Sequence, residues 1–202
     1  MAIQDKPKRK NTRLKNYDYS SDGCYFITIC TKDKQKLFGQ IIDEQMKLSV
    51  LGRMVNDLWL EIPGRYFNVR LDEFVVMPNH IHGIVVIDAP CRAGSSPAPT
   101  NDNNKNIVGS TLVADRRVTS TVGSALVADR RVTLGEIIGS FKSLCCFSWR
   151  QYLKNNNLGY LGKIWQCRYY DHVIRDEQGY WKIINYIYNN PTDWLKDENY
   201  IE

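Results

Sequence analysis

Hydrophobic and polar positions along the chain follow two different periods, which predict strands and helices in a definite order. Residues 25–31 are rich in aromatic and β-branched side chains, which is typical of a strand. Residues 69–77 and 80–87 predict a second and a third strand. Residues 51–62 and 134–152 carry apolar side chains at i, i+3 and i+4, so they predict two amphipathic helices.

Residues at the ends of these segments delimit the predicted elements. Ser49 can cap the first helix, which the Pro63-Gly64 pair ends. Thr133 and Glu136 have the spacing of a capping box at the start of the second helix. Both helices therefore have a defined first residue.

The C-terminal part of the chain predicts one more strand and one more helix. Residues 164–174 predict the fourth strand, and residues 176–190 predict a helix that Pro191 ends. The resulting order, β-α-β-β-α-β-α, contains a ferredoxin-like split βαβ pattern. We therefore predict an α+β fold: a ferredoxin-like antiparallel sheet with helices on one face, plus a C-terminal helix carrying Tyr186.

The composition changes between the third strand and the second helix. Residues 89–133 begin with a segment rich in Pro, Gly, Ser and Ala, and within them the segment 108–119 returns almost unchanged as 122–133. So close a pair indicates a recent duplication inside a tolerated loop. We predict a single domain over residues 17–194, interrupted by a mobile insertion, and a C-terminal tail over residues 195–202.

The net charge of the 202-residue chain, +5, is concentrated at its beginning. Residues 1–16 hold six basic residues and one acidic residue, so this arm accounts for all of the net charge. Such an arm either binds along a polyanion backbone or is a solvated tail, and the arm alone leaves both readings open.

Because the chain has neither a long apolar run nor a signal peptide, we expect a cytoplasmic protein without a membrane partner.

Two groups of polar residues are candidates for chemistry. His80 and His82 alternate along a strand, so both side chains face the same side and can reach one divalent ion; a pair of partly exposed strand residues is the alternative. Lys182, Tyr186 and Asn190 share one helix face at one-turn spacings. A nearby cation would favour the phenolate of Tyr186, whereas in the alternative reading this tyrosine only covers the edge of the core.

Several segments taken together resemble one family. They are RLKNYDY (13–19), YFIT (25–28), FVVMPNHIH (74–82), SFKS (140–143), WQ (165–166), YYDHVIR (169–175) and YIYNNP (186–191). The PNHIH and YIxNNP pair, in that order, is the most specific part of the pattern. The chain resembles the HUH-superfamily single-tyrosine transposases, and within them the REP-associated tyrosine transposases, over residues 13–88 and 134–194.

The resemblance implies an activity, a cofactor and a substrate. His80 and His82 would bind a divalent metal, Mg²⁺ or Mn²⁺, and Asn190 would stand at the position of the third ligand, often a glutamine in relatives. Tyr186 would attack hairpin-bearing single-stranded DNA and form a 5′-phosphotyrosine intermediate, so the protein would be a transposase that cleaves and rejoins DNA as a monomer or homodimer. Imidazole ligands favour Mn²⁺ over Mg²⁺. The alternative is a domesticated hairpin-binding protein with little or no turnover.

Other side chains are candidates for supporting roles. Lys182 and His172 are expected near the site, although a structural histidine is an equally good reading of His172. The candidate DNA-binding residues are Lys8, Arg9, Lys10, Arg13, Lys15 and Lys142. For Lys142, the alternative is a solvated helix face.

Overall fold

The computed structural model describes residues 17–88, 131–159 and 162–201, so the predicted arm and most of the predicted insertion lie outside the described residues. The elements are β1 (Gly23–Cys30), β2 (Gly39–Ile42), β3 (Gln45–Leu48), α1 (Val50–Leu60), α2 (Ile62–Arg65), β4 (Val69–Val76), β5 (His80–Ile87), α3 (Leu134–Asn155), β6 (Tyr170–Ile174) and α4 (Glu177–Asn189). Within these described ranges, no helix is both long enough and apolar enough to span a membrane.

The main sheet has four strands in the order β4-β5-β1-β6, and every neighbouring pair is antiparallel. The first strand therefore lies between the third and fourth predicted strands, as a split βαβ unit requires. The predicted α+β fold is confirmed. The predicted caps are also present, because Ser49 accepts a hydrogen bond from the Gly52 amide and Thr133 forms a capping box with Glu136.

One face of the sheet packs against α1 and α3 and forms the larger core. Side chains of successive strand residues point to opposite faces of the sheet. Those of Ile27, Ile81 and Val85 point into the larger core and are fully buried. Trp59 of α1 meets Phe141 of α3 edge to face, with ring centroids 5.1 Å apart. The two helices thus cover this face and leave the opposite one for α4.

The opposite face carries a smaller apolar cluster that positions α4. Phe26, Ile84 and Val86 of the sheet pack with Ile187 of α4, all four of them buried. At its start α4 is held a second time, because the Tyr180 hydroxyl donates to Asp72 at 2.6 Å, where β4 has a register shift. Two attachments set both the position and the rotation of α4.

The β2–β3 hairpin has no counterpart in the sequence-based prediction. Its turn is made by Asp43 and Glu44, which have φ angles of 50° and 59°. Such a turn normally contains glycine or asparagine, because other residues adopt positive φ at a cost. The usual hairpin signature is therefore missing from the sequence.

The fourth strand is shorter than predicted, since β6 begins at Tyr170 and not at residue 164. Trp165 forms only an isolated bridge with Thr31, and its ring packs against Phe38 with centroids 5.2 Å apart. The aromatic run that suggested a strand here instead supplies a core side chain.

Candidate active site

The two strand histidines lie side by side on the face of the sheet that carries α4. His80 and His82 are almost completely buried, and their ring centroids are 4.3 Å apart. They project from the same face because they occupy alternate positions of β5. The structure therefore places two imidazoles where a single ion could contact both.

Hydrogen bonds orient both imidazole rings with Nε2 towards the site. Nδ1 of His80 lies 2.8 Å from the amide oxygen of Asn79, and Nδ1 of His82 lies 2.9 Å from the Thr28 hydroxyl oxygen. The Asn79 oxygen can only accept, so Nδ1 of His80 carries the hydrogen and Nε2 keeps its lone pair. Within the described parts of the chain, this buried Nε2 atom has no hydrogen-bond partner.

Tyr186 of α4 reaches the same place from the helix. Its hydroxyl oxygen lies 3.1 Å from Nε2 of His82 and donates to Oδ2 of Asp197 at 2.8 Å. The ring also meets Phe26 edge to face, with centroids 6.1 Å apart. The phenol is thus held beside the histidine pair by a hydrogen bond on one side and a ring contact on the other.

Asp197 is a further member of the site, and no pattern in the sequence predicts it. Its side chain is only 1% exposed, and its Oδ2 lies 3.6 Å from Nε2 of His82. Asn190 donates to the same oxygen at 2.8 Å, while the backbone amide of Asn199 donates to Oδ1 at 2.6 Å. One ligand atom each from His80, His82 and Asp197 lies within 4.8 Å of the others.

The segment after α4 brings Asp197 to the site. Trp194 covers the His80 ring at a centroid distance of 5.9 Å and packs edge to face with Tyr200. Asn79, which orients His80, also donates to the backbone carbonyl of Asn199 at 2.7 Å. Residues 195–202, predicted as a tail, thus include a residue of the site; the sequence does not reveal this because no local pattern marks contacts with a strand more than 100 positions earlier.

The electrostatic environment keeps the histidines neutral and the tyrosine protonated. Burial lowers the pKa of both His80 and His82, which leaves their lone pairs available. Burial and the hydrogen bond to Asp197 raise the pKa of Tyr186 above its ordinary value. Burial alone would raise the pKa of Asp197, but the His82 imidazole and the Asn190 amide outweigh it and hold this pKa well below its usual range.

The donor set fits a divalent transition metal. Two neutral imidazole nitrogens and one carboxylate are ligands that Mn²⁺, Co²⁺ and Zn²⁺ accept readily. The amide oxygen of Asn190 is also buried, and it has no hydrogen-bond partner among residues 17–88, 131–159 and 162–201. The unpartnered Nε2 of His80 and this oxygen are what a cation would satisfy.

The remaining predicted residues lie at different distances from this centre. Lys182 is exposed on α4, one turn before Tyr186, and His172 is exposed on β6 two strands away from His82. Lys142 donates to the backbone carbonyls of Gln166 and Cys167, so it supports the segment before β6. The arm residues lie outside the described residues; they are Lys8, Arg9, Lys10, Arg13 and Lys15.

Comparison with known proteins places the chain in a family. The sequence matches no protein-family model. It is 39% identical over 194 residues to an uncharacterised protein of Haemophilus influenzae, a match that covers 96% of this chain and 94% of that protein. The chain belongs to the family of this Haemophilus protein.

Two solved structures are also similar to the chain. A REP-associated tyrosine transposase bound to a REP hairpin is 17% identical, with a TM-score of 0.46 over 92% of this chain and 74% of that one. A proposed transposase from Deinococcus radiodurans is 18% identical, with a TM-score of 0.37 over 88% of this chain and 95% of that one.

Proposed function

We propose that the protein is a DNA transposase that cleaves and rejoins single-stranded DNA through Tyr186. One observation carries the proposal: the phenol lies 3.1 Å from Nε2 of a buried histidine pair and donates to a buried carboxylate. A nucleophile beside a proton acceptor and a cluster of metal-ligating atoms is the arrangement that covalent phosphoryl transfer needs.

Tyr186 supplies the nucleophile, and Asp197 orients its hydroxyl. As the Tyr186 oxygen bonds to phosphorus, the bond from phosphorus to the 3′ oxygen breaks. The hydrogen bond to Asp197 orients the phenol proton, which is released to water as the new bond forms, and the departing 3′ oxygen takes up a proton from water. The products are a 5′-phosphotyrosine and a free 3′-OH, and attack by another 3′-OH reverses the step without ATP.

Three side chains would hold the metal: His80, His82 and Asp197, with Asn190 as the predicted further ligand. When bound, a divalent cation supplies positive charge that stabilises the phosphate oxygens and the developing phenolate and alkoxide. Asn190 also holds Asp197 in place, which gives it a positioning role whether or not its own oxygen binds the ion. The imidazole pair favours Mn²⁺ over Mg²⁺.

The proposed substrate is single-stranded DNA that carries a palindromic hairpin. We propose a cytoplasmic location, where the protein has access to the genome. The resemblance of the PNHIH and YIxNNP motifs to REP-associated transposases supports this class of DNA. The excess positive charge of residues 1–16 suits the phosphates of a hairpin stem. A domesticated hairpin-binding protein with little or no turnover is the competing outcome of the test that follows.

Adduct formation tests the proposed activity directly. We expect wild type, incubated with Mn²⁺ and labelled single-stranded DNA that carries a palindromic hairpin, to form a covalent protein–DNA adduct on a denaturing gel. Tyr186→Phe should form none, because it lacks the attacking oxygen. Tyr188→Phe is the matched control, since Tyr188 is 76% exposed two residues further along the helix. If wild type binds the hairpin but forms no adduct with either Mn²⁺ or Mg²⁺, the protein is a hairpin-binding protein with little or no turnover.

Metal binding can be measured without DNA. At about 100 times its Kd, Mn²⁺ should stabilise the folded chain by about 2.7 kcal/mol. That corresponds to a rise in Tm of about 5 °C or more for a domain of this size. His80→Ala should abolish the rise, whereas His172→Ala, which removes an exposed histidine, should retain it. An equal rise in wild type and His80→Ala would contradict the assigned ligands.

A further inference from the structure

Two grooves meet at Tyr186. One, of about 900 Å³, lies over the sheet and the segment before β6, and the other, of about 440 Å³, runs along α4. Tyr186, Lys196 and Asp197 line both of them. The two grooves therefore adjoin at Tyr186.

The larger groove presents aromatic faces and a cation, and we call it the aromatic groove. Phe26, Tyr169 and Tyr170 line it together with Arg168. Tyr170 is 46% exposed and stands edge to face against Phe26, with centroids 6.4 Å apart. Arg168 is exposed. Phe26 is buried and Tyr169 half-buried, so Tyr170 is the exposed ring, and an exposed ring beside a guanidinium is a surface on which an unpaired base can stack.

The smaller groove is polar, and we call it the amide groove. Lys182, Asn185 and Asn189 line it from one face of α4, at i, i+3 and i+7. All three side chains are exposed. An ammonium and two amides can bind phosphate oxygens, and they offer no ring on which a base could stack.

We propose that the scissile strand crosses Tyr186, with bases on one side of the scissile phosphate stacked in the aromatic groove and the sugar–phosphate backbone on the other side held in the amide groove. This inference rests on the proposed function, whose substrate it describes more closely. The occupant is single-stranded DNA and not duplex, because paired bases are already stacked and cannot present their faces to Tyr170.

Binding of two single strands to the full chain carrying Tyr186→Phe separates stacking from backbone contacts. The probes are a labelled oligothymidylate of about 12 nucleotides and an abasic strand of equal length. We expect Tyr170→Ala to weaken oligothymidylate binding about fivefold or more and to leave the abasic strand unchanged. Lys182→Ala should weaken both strands equally and reduce the slope of log K against log salt by about 0.7.

Two matched variants control for loss of surface area and charge. Tyr188→Ala removes an exposed tyrosine of α4, and Lys154→Ala removes an exposed lysine of α3, and neither residue lines the aromatic groove or the amide groove. Both should bind the strands as the parent chain does. Equal losses for Tyr170→Ala and Tyr188→Ala, or an unchanged salt slope for Lys182→Ala, would overturn the proposed path.

The outcome for the path is distinguishable from the outcome for the activity. If wild type forms no adduct while Tyr170→Ala loses only base-dependent affinity, the proposed activity fails and the strand path stands. If wild type forms the adduct and neither groove variant changes binding, the activity stands and the strand path is wrong.

Discussion

At the scale of single residues, the candidate site depends on neighbours that set which atom of each side chain faces the centre. Asn79 and Thr28 engage Nδ1 of the two histidines, so Nε2 of His82 faces Tyr186 and Asp197 while the buried Nε2 of His80 is left without a hydrogen-bond partner in the described parts of the chain. Such outer contacts commonly change metal affinity by about 10–100-fold. Thr28 lies far from His82 in sequence but directly opposite it in the β1–β5 pairing.

Thr28→Val tests this orientation of His82. The substitution keeps the shape of the side chain but removes the oxygen that meets Nδ1, so this buried nitrogen loses its hydrogen-bond partner. We expect Mn²⁺ affinity, measured by calorimetry, to fall about tenfold or more. Thr28→Ser should restore affinity because it restores the hydroxyl. Unchanged affinity in Thr28→Val would show that this hydrogen bond does not orient the ligand.

At the scale of secondary structure, the site depends on close packing behind β5. Gly83 lies between His82 and Ile84 in β5 and faces the opposite side of the sheet from them. A Cβ at this position would stand 2.8 Å from the Trp59 ring and 3.1 Å from Phe74. Trp59 is fully buried and has no room to move away. The absence of a side chain at this position lets α1 approach the strand that carries both histidines.

Gly83→Ala is therefore expected to destabilise the fold. Overpacking of this kind typically costs about 1–3 kcal/mol of the free energy of unfolding, to be measured by urea denaturation. Gly139→Ala on α3 is the matched control, because a Cβ there meets no atom within 4 Å. It should be neutral or stabilise the chain by up to about 1 kcal/mol through helix propensity. An equal change in the free energy of unfolding in both variants would contradict this prediction, because it would show that β5 accommodates the added Cβ without loss of stability.

At the scale of the whole molecule, the tyrosine and the histidines of one chain meet within that chain. The Tyr186 hydroxyl lies 3.1 Å from its own chain's His82, and α4 packs on the face of the sheet from which that histidine projects. Asp197 of the same chain closes the arrangement. We therefore expect one chain to supply the complete proposed site, whether the protein is a monomer or a homodimer.

Mixing two inactive variants tests this arrangement. His82→Ala keeps the tyrosine and Tyr186→Phe keeps the histidines, so a site shared between chains would be rebuilt in a mixed dimer. We expect no covalent adduct from the mixture on labelled hairpin DNA. An adduct on the His82→Ala chain would show that the tyrosine serves the partner's histidines.

The sequence by itself determined the features that depend on neighbours along the chain. Period-two alternation places His80 and His82 on one face, and helical spacing places Lys182, Tyr186 and Asn190 on another. Side-chain caps and a proline mark the helix ends, and the order of the elements predicts the split βαβ sheet. Each of these follows from interactions over a few residues, which a single sequence records.

Only the tertiary structure decided which distant residues meet. Asp197 joins the site because Trp194 and Asn199 bind the strand region around His80, and no local pattern encodes that contact. The β2–β3 turn was missed because its two residues adopt positive φ without glycine, and the aromatic run at Trp165 packs inward instead of extending β6. These features depend on the path of the whole chain, which brings together groups that the sequence keeps far apart.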